Sequence, residues 1–298
     1  MTIDSSLMQP HLTPPHLTPN YVGRFAPSPT GPLHAGSLVA AMASYLDARA
    51  HQGRWLLRIE DLDPPREQVG AAAAIIDALA AFGFQWDGPI VRQSERGTDY
   101  NAALQRLSAA GLIYPCCCSR RDMIGDDGIY PGTCRHGMRA GASARAWRIR
   151  VDDTTIDWHD RRCGHLSEAL AQQAGDFVLK RADGLWAYQL AVVVDDALGG
   201  VNAIVRGDDL LSSSARQIFL QQQLGFATPS YLHIPVLRNS AGEKLSKQTM
   251  AAAIDPRHAL EQLESAANYL QLDRVGASSI TRFWELATQR WQQRQATR

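Results

Sequence analysis

The stretch from Tyr21 to Ile59 leaves few folds open. Tyr21–Phe25 reads as a short strand, and Pro27, Pro29, Gly31 and Pro32 punctuate the turn after it. A helical stretch then runs from about Ser37 to Gln52, and Gly53 ends it. Trp55–Ile59 is mostly apolar, as expected of a strand covered on both faces. Glu60–Pro65 is a loop at its C-terminal end, and Ala-rich Ala71–Phe82 and then Tyr100–Ala110 read as helices. Strand, helix, strand, helix in this rhythm predicts a parallel α/β sheet.

The rhythm breaks from Ile113 to about Leu170, which holds the cysteines, many arginines and no long apolar period. This segment is expected to be an insertion. The α/β rhythm resumes with Phe177–Leu179, Ala187–Val194 and Val201–Arg206, followed by a helix over Ser213–Leu224 and a strand over Tyr231–Leu237. From Ala251 onward the text is helical and ends in a polar stretch, Arg290–Arg298. The expected division is therefore a tail at 1–20, a first catalytic half at 21–112, an insertion at 113–175, a second half at 176–237 and a loop with helices at 238–298. The tail lacks the basic and apolar regions of a secretory signal. It carries a direct repeat, Pro10–Pro14 followed by Pro15–Pro19, whose proline content predicts disorder.

Composition narrows the function. Thirty Lys and Arg balance thirty Asp and Glu, so nucleic-acid binding by bulk charge is excluded, although a local basic face is not. No apolar run approaches the ~18 residues of a membrane span; Ala71–Ala81 and Leu190–Val194 are too short. Five cysteines, three of them consecutive, make a poor disulfide framework and a fair metal framework, which fits a reducing cytoplasm. Arginine outnumbers lysine 27 to three, and two of the three lysines, Lys244 and Lys247, fall within four residues. A lysine kept in such a chain suggests use of its compact charge on a flexible stem.

The turn Arg24–Ser37 lies where an open α/β sheet binds its ligands, at a strand's C-terminal end. The helix start there offers unpaired N–H groups and a positive dipole end, both suited to phosphate. His34 can donate to a phosphate oxygen, and Gly31 and Gly36 allow close approach of the backbone. Taken by itself, a histidine two residues before a glycine is equally a capping or surface residue.

The whole string from Arg24 to Ser37 resembles the first signature of class I aminoacyl-tRNA synthetases, the "HIGH" motif, in its glutamyl form. Glu60–Asp63, then Pro64-Pro65-Arg66, is similar to the glutamyl "R-I-E-D" segment. Tyr188–Asp196 and Ile204–Leu210 resemble the substrate-binding second half, and Lys244–Gln248 resembles the "KMSKS" loop. The likeness spans about Tyr21 to Gln248, after which about fifty residues remain, too few for the long helical anticodon-binding region of a full glutamyl-tRNA synthetase. With the Cys-x-Cys insertion and the K-L-S-K-Q spelling, the chain resembles the glutamyl-Q tRNA(Asp) synthetase family, which attaches glutamate to the queuosine base of tRNA(Asp). Two positions depart from the general signatures: Ser37 replaces the second histidine, as is common in glutamyl enzymes, and Gln248 replaces the last serine.

The resemblance implies an α/β fold: a class I, Rossmann-like parallel sheet with a zinc-containing insertion and a short C-terminal helical region, without an anticodon-binding domain. It implies an ATP-dependent ligase that needs no covalent enzyme intermediate. His34, Lys244 and Lys247 would be catalytic, and His34, Gly36, Ser37 and Lys247 would bind ATP, with Mg. Arg24, Phe25, Ala26, Pro27, Ser28, Glu60, Tyr188 and Arg206 would bind L-glutamate, with the arginines facing carboxylates and Glu60 the ammonium. Arg206 beside Asp208 and Asp209 equally suits local ion pairs. Asp61 and Asp63 suit metal, ribose or loop capping alike.

For the insertion, the resemblance implies a structural zinc held by Cys116, Cys118, Tyr130 and Cys134. Ligand chemistry alone would choose His136 or Cys117 as the fourth ligand. Cys163 has no partner by spacing. The expected partners are glutamate, ATP and queuosine-bearing tRNA(Asp), with no membrane, for a chain working as a monomer. Three other readings remain at this level: a truncated enzyme charging tRNA(Glu), a class I-like nucleotidyltransferase acting on a small molecule, and an inactive paralogue that only binds RNA.

Overall fold

A computed structural model describes residues 21–119, 122, 129–238 and 252–296. The repeat at 10–19 and the Lys244–Gln248 segment lie outside the described residues. The chain begins with β1 (Val22–Phe25), α1 (Ala35–Ala50), β2 (Arg54–Ile59), α2 (Ala71–Ala81), β3 (Val91–Arg92) and α3 (Gly97–Ala109). It continues through β4 (Ile113–Cys116), β5 (Ala146–Ile149), β6 (Thr155–Asp160), β7 (Gly164–Ala169), α4 (Leu170–Gln173) and β8 (Val178–Lys180). The last elements are α5 (Tyr188–Leu198), β9 (Ala203–Gly207), α6 (Ser214–Gln223), β10 (Ser230–Ile234), α7 (Ala259–Tyr269) and α8 (Ile280–Ala296).

The parallel sheet expected from the rhythm is present in two adjoining pieces. One has the order β1-β2-β3, all parallel, and the other β7-β6-β10-β9. In the second, β10 runs parallel to both β9 and β6. The pieces meet at Val22, whose N–H donates to Asn202 Oδ1 (2.8 Å) and whose carbonyl accepts from Asn202 N (3.1 Å). A cleft therefore opens at the C-terminal ends of β1 and β9, where connections leave toward opposite halves.

Both faces are covered. Helix α1 is buried nearly all round, which its small residues permit. It packs with α7 and α8 over an aromatic cluster of Tyr45, Trp55, Phe84 and Trp284. The other face is covered by α3, α5 and α6, with Tyr100, Leu190, Val193 and Phe219 inside. Gly53 closes α1 against the first strand; a Cβ there would lie 2.3 Å from the Tyr21 carbonyl oxygen, so no side chain fits. The C-terminal helices are part of the core: Trp284 Nε1 donates to Phe82 O and Trp291 Nε1 to Asp47 Oδ1, both at 3.0 Å. No described helix is long and apolar enough to cross a membrane.

The segment expected to be an insertion is split between two sheets. β4, β5 and β8 form a separate antiparallel sheet, so strand pairing runs across the expected division at 175/176. The hairpin β6–β7 instead extends the main sheet beside β10. Local pattern misses this because the pairing joins residues some seventy positions apart.

Asp47, in the last turn of α1, accepts from Tyr21 and Trp291 and from both Nη atoms of Arg161, at 2.6 and 2.8 Å. It ties β1, the β6–β7 turn and α8 to one helix. Burial raises its pKa, but the Arg161 hydrogen bonds and charge outweigh that and hold it below the ordinary range. A folded-state pKa below the unfolded ~3.9 contributes stability that is present above pH ~4 and lost as pH falls through the folded value. Asp47→Asn should therefore destabilise at pH 7 by about 3 kcal/mol, the scale of an uncompensated buried charge. The difference from wild type should shrink below pH 4 in urea titrations.

Candidate active site

The cleft holds a cavity of about 700 Å³. Arg24 and Phe25 enter it from the end of β1 and Glu60 from the residue after β2. Tyr188 enters from the start of α5 and Arg206 from β9. Ala26, Pro27 and Ser28 line it from the turn, and His34, Gly36 and Ser37 from the start of α1. The structure thus brings the expected glutamate- and ATP-site residues that fall within the described residues to one cavity, from both halves of the chain. Lys244 and Lys247 lie outside the described residues.

The floor is a buried charge network. Arg24 Nε donates to both oxygens of Asp196, at 3.2 and 3.4 Å. Arg58, on β2, donates from Nη1 to Asp196 (2.6 Å) and from Nη2 to Glu60 (3.2 Å), and its Nε lies 3.8 Å from Asp195. Asp195 also accepts from Gln93 Nε2 (2.7 Å) and the Tyr100 hydroxyl (2.8 Å). Burial pushes Asp196 up, but the Arg24 and Arg58 charges prevail and its pKa is lowered. Burial raises Glu60 despite Arg58 and Arg24, so a cation arriving beside Glu60 would favour its charged form. Burial and the Glu60 charge keep the Tyr188 phenol protonated.

Arg206 is partnered differently. It donates from Nε to His233 Nε2 (3.0 Å), from Nη1 to Gln217 Oε1 (2.7 Å) and from Nη2 to Ser214 Oγ (2.9 Å). The alternative of local ion pairs with Asp208 is not realised: Asp208 pairs with Arg162 at 3.0 Å. Among the described residues Arg206 forms no ion pair, so its charge faces the cavity uncompensated.

His34 is the N-cap of α1, with Nδ1 accepting from Ser37 N at 3.3 Å. That bond assigns the ring proton to Nε2, so the residue is at once cap and donor. No acid occupies the first turn of α1, which leaves the dipole end to an anion. Of the loop acids, Asp61 fastens the next turn by accepting from Ser94 N (2.9 Å) and Oγ (2.7 Å). Asp63 pairs with Arg66 (2.7 Å) and Arg181 (3.4 Å).

A second cluster sits at the end of β4. The Sγ atoms of Cys116, Cys118 and Cys134 lie within 4.8 Å of one another, with Cys118 and Cys134 3.6 Å apart. The Tyr130 hydroxyl lies 3.4 Å from Cys116 Sγ and 3.5 Å from Cys118 Sγ, and accepts from Cys134 N at 2.9 Å. A tetrahedral ion with bonds of about 2.3 Å to sulfur and 2.0 Å to oxygen has edges of ~3.8 and ~3.5 Å. These four atoms therefore suit one metal. His136 is exposed and outside the cluster, and Cys117, whose Sγ lies 3.6 Å from that of Cys134, is not among the three grouped thiols. The Arg148 guanidinium lies 3.8 Å over the Tyr130 ring, favouring negative charge there. Burial raises Cys116, but Tyr130 and Arg148 bring it to about 7. Burial pushes Cys118 up to about 11.

Sequence reasoning missed Asp196, Arg58, His233 and Asp160. A signal existed for one: Asp195-Asp196 interrupts an otherwise apolar helix, and paired acids there demand buried cations. His233 and Asp160 carried no comparable local signal.

Residues 21–126 and 134–279 match the family model described as tRNA synthetases class I (E and Q), catalytic domain. The chain is 57% identical over 287 residues to a glutamyl-Q tRNA(Asp) synthetase of Janthinobacterium sp. (strain Marseille), covering 92% of this chain and 97% of the relative. It is 55% identical over 278 residues to that of Chromobacterium violaceum, covering 91% and 93%. Among solved structures it resembles a glutamate-tRNA synthetase from Elizabethkingia anophelis, with 27% identity and a TM-score of 0.68. That match covers 77% of this chain and about half, 53%, of the other. The fold also resembles a glutamate tRNA ligase from Elizabethkingia meningosepticum (TM-score 0.74, 22% identity), covering 90% of this chain and 65% of that one.

Asp196→Asn keeps the shape of the floor and removes the charge shared by Arg24 and Arg58. Leaving two buried guanidinium groups underpaired should cost about 3–5 kcal/mol. Urea denaturation at pH 7 measures it, and a loss under 1 kcal/mol would show that the network is not buried as described.

Proposed function

The chain belongs to the glutamyl-Q tRNA(Asp) synthetase family of class I synthetases, and from that membership we propose that it activates L-glutamate with ATP and passes the glutamyl group to the queuosine base of tRNA(Asp). One observation carries the reading beyond family: groups suited to an amino acid with two carboxylates and groups suited to phosphate line one cavity. Arg24 and Arg206 face the carboxylates, with Glu60 for the ammonium and Tyr188 and Ser28 as hydrogen-bonding walls. His34 and the N–H groups at Gly36 and Ser37 face the phosphates.

In the activation step a glutamate carboxylate oxygen bonds to the α-phosphorus of ATP, and the bond to pyrophosphate breaks with its electron pair leaving on oxygen. The chain's part is positioning and charge stabilisation. His34 Nε2 and the helix start stabilise one side. Lys244 and Lys247 are assigned the other on the strength of the signature they resemble. Mg, where bound, would neutralise the leaving pyrophosphate. A hydroxyl of the acceptor then attacks the activated carbonyl and AMP leaves. The protein is assigned to the cytoplasm, as a monomer, and Cys116, Cys118, Tyr130 and Cys134 to a zinc ion that is structural because all four positions are filled.

Pyrophosphate exchange without RNA tests the first half. Glutamate should support it, and glutamine should be roughly 10³-fold poorer in kcat/KM, because a neutral amide leaves the arginine donors badly matched. Near-equal use of glutamine would overturn the pocket assignment. Transfer should then occur to tRNA(Asp) containing queuosine and not to tRNA(Asp) lacking it.

For the metal, elemental analysis should find one zinc per chain. Tyr130→Phe should weaken its retention against a chelator, and Cys134→Ser should abolish binding of one equivalent. Metal-free protein with an unchanged melting temperature would remove zinc from the structure.

A further inference from the structure

We propose that His233 is a positioning residue for glutamate, holding the Arg206 guanidinium toward the cavity without cancelling its charge, and that Asp160 fixes the ring tautomer this requires. The proposal rests on the glutamate reading of the cavity.

His233 and Arg206 are direct neighbours across the parallel pair β9 and β10, so their side chains leave the sheet on the same face. Asp160 arrives from the end of β6, in the hairpin that joins the main sheet. All three side chains are buried. Asp160 Oδ1 accepts from Arg162 N (2.9 Å) and Cys163 N (2.8 Å), and Oδ2 accepts from His233 N (3.0 Å). Oδ2 also lies 2.7 Å from His233 Nδ1. A carboxylate surrounded by so many N–H donors is held ionised, and hydrogen bonding and the facing histidine push its pKa far down against burial.

The proton positions then follow. Ionised Asp160 has no proton to give, so Nδ1 must donate. Arg206 Nε always carries hydrogen, so His233 Nε2 must accept at 3.0 Å. The ring is therefore neutral with its proton on Nδ1. An imidazolium would set N–H against N–H at this contact. Burial opposes that charge as well, and His233's pKa is lowered.

The chemical point is the kind of acceptor. Gln217, Ser214 and His233 are all neutral and take one N–H from each nitrogen of Arg206. A guanidinium has five N–H groups, so one remains on each Nη. A carboxylate that reached the position of His233 Nε2 would orient Arg206 equally well but neutralise it, and a substrate carboxylate would gain little. Arg24 shows the contrast, since its Nε is already paired with Asp196.

The test is pyrophosphate exchange on wild type, His233→Ala, His233→Gln and His233→Asn, with KM for glutamate and ATP, kcat and melting temperature. A glutamine side chain places an acceptor oxygen near the position of Nε2, whereas asparagine falls short. His233→Ala should raise KM for glutamate about 10-fold or more, the scale of one buried donor left unsatisfied. KM for ATP should stay within about twofold. His233→Gln should recover most of the loss and His233→Asn should not; if the alanine variant fails to fold, this pair alone decides. An unchanged glutamate KM in His233→Ala, both KM values rising together, or glutamine and asparagine variants behaving alike would overturn the positioning role. Wild-type protein without glutamate-dependent exchange would overturn the functional reading, and this proposal with it.

Discussion

Two adjacent carboxylates in an apolar helix hold the two parts of the sheet to one geometry. Asp196, on α5, takes Arg24 from β1 and Arg58 from β2, and Asp195 takes Arg58, Gln93 and Tyr100. Helix α5 belongs to the second half of the chain and its partners to the first. A buried ion is costly unless it is paired and its remaining valences are satisfied. Two guanidinium groups, Arg24 and Arg58, share the three carboxylates Asp195, Asp196 and Glu60, so no single member can be removed cheaply. The cleft between β1 and β9 is the space left above this network, and its width is set by side chains that cannot relax without exposing a charge.

The same requirement explains the use of arginine. Each of these cations serves several acceptors in fixed directions, which a planar guanidinium does and a lysine ammonium does not. The bias of 27 arginines to three lysines cannot by itself single out functional arginines. Position does: Arg24 and Arg206 stand at strand ends beside the cavity, whereas Arg58 lies one layer deeper and acts through Asp196 and Glu60.

What was legible in the sequence was whatever is local. The proline- and glycine-punctuated turn after β1, the helix behind it and the apolar second strand are each encoded within a few residues, and they place Arg24 and Glu60 at strand ends and His34 at the start of the helix. The gathering of Tyr188 and Arg206 with them came through resemblance to a known pattern, and the cavity carries all five. What was illegible was long-range pairing. β6 has the alternation of an ordinary hairpin strand, and nothing in Thr155–Asp160 tells that it will lie beside β10. The role of Asp160 beneath Arg206 was hidden with it. Likewise, Tyr130 was a poor choice of metal-site residue by ligand chemistry, because only the folded loop brings its hydroxyl between two thiols while leaving His136 outside.

The thiol cluster is connected to the cavity by more than sequence. Arg148, stacked on Tyr130, donates to the Asp176 carbonyl, and the Asp176 carboxylate accepts from Tyr114, Arg135 and Val151 N. Asp176 lies two residues before β8, which pairs with β5. The Leu179 carbonyl of β8 in turn accepts from Ala187 N, the N-cap of α5. Tyr188 follows directly and closes one wall of the cavity. Loss of order at the cluster would therefore be felt where α5 begins, at the phenol facing Glu60 and Arg206, before it reached the phosphate-facing end at His34. An ion held at this cluster would touch no substrate and yet would matter to the amino-acid side of the cavity more than to the phosphate side, because the chain it would anchor leads to one wall of the site and not to the other.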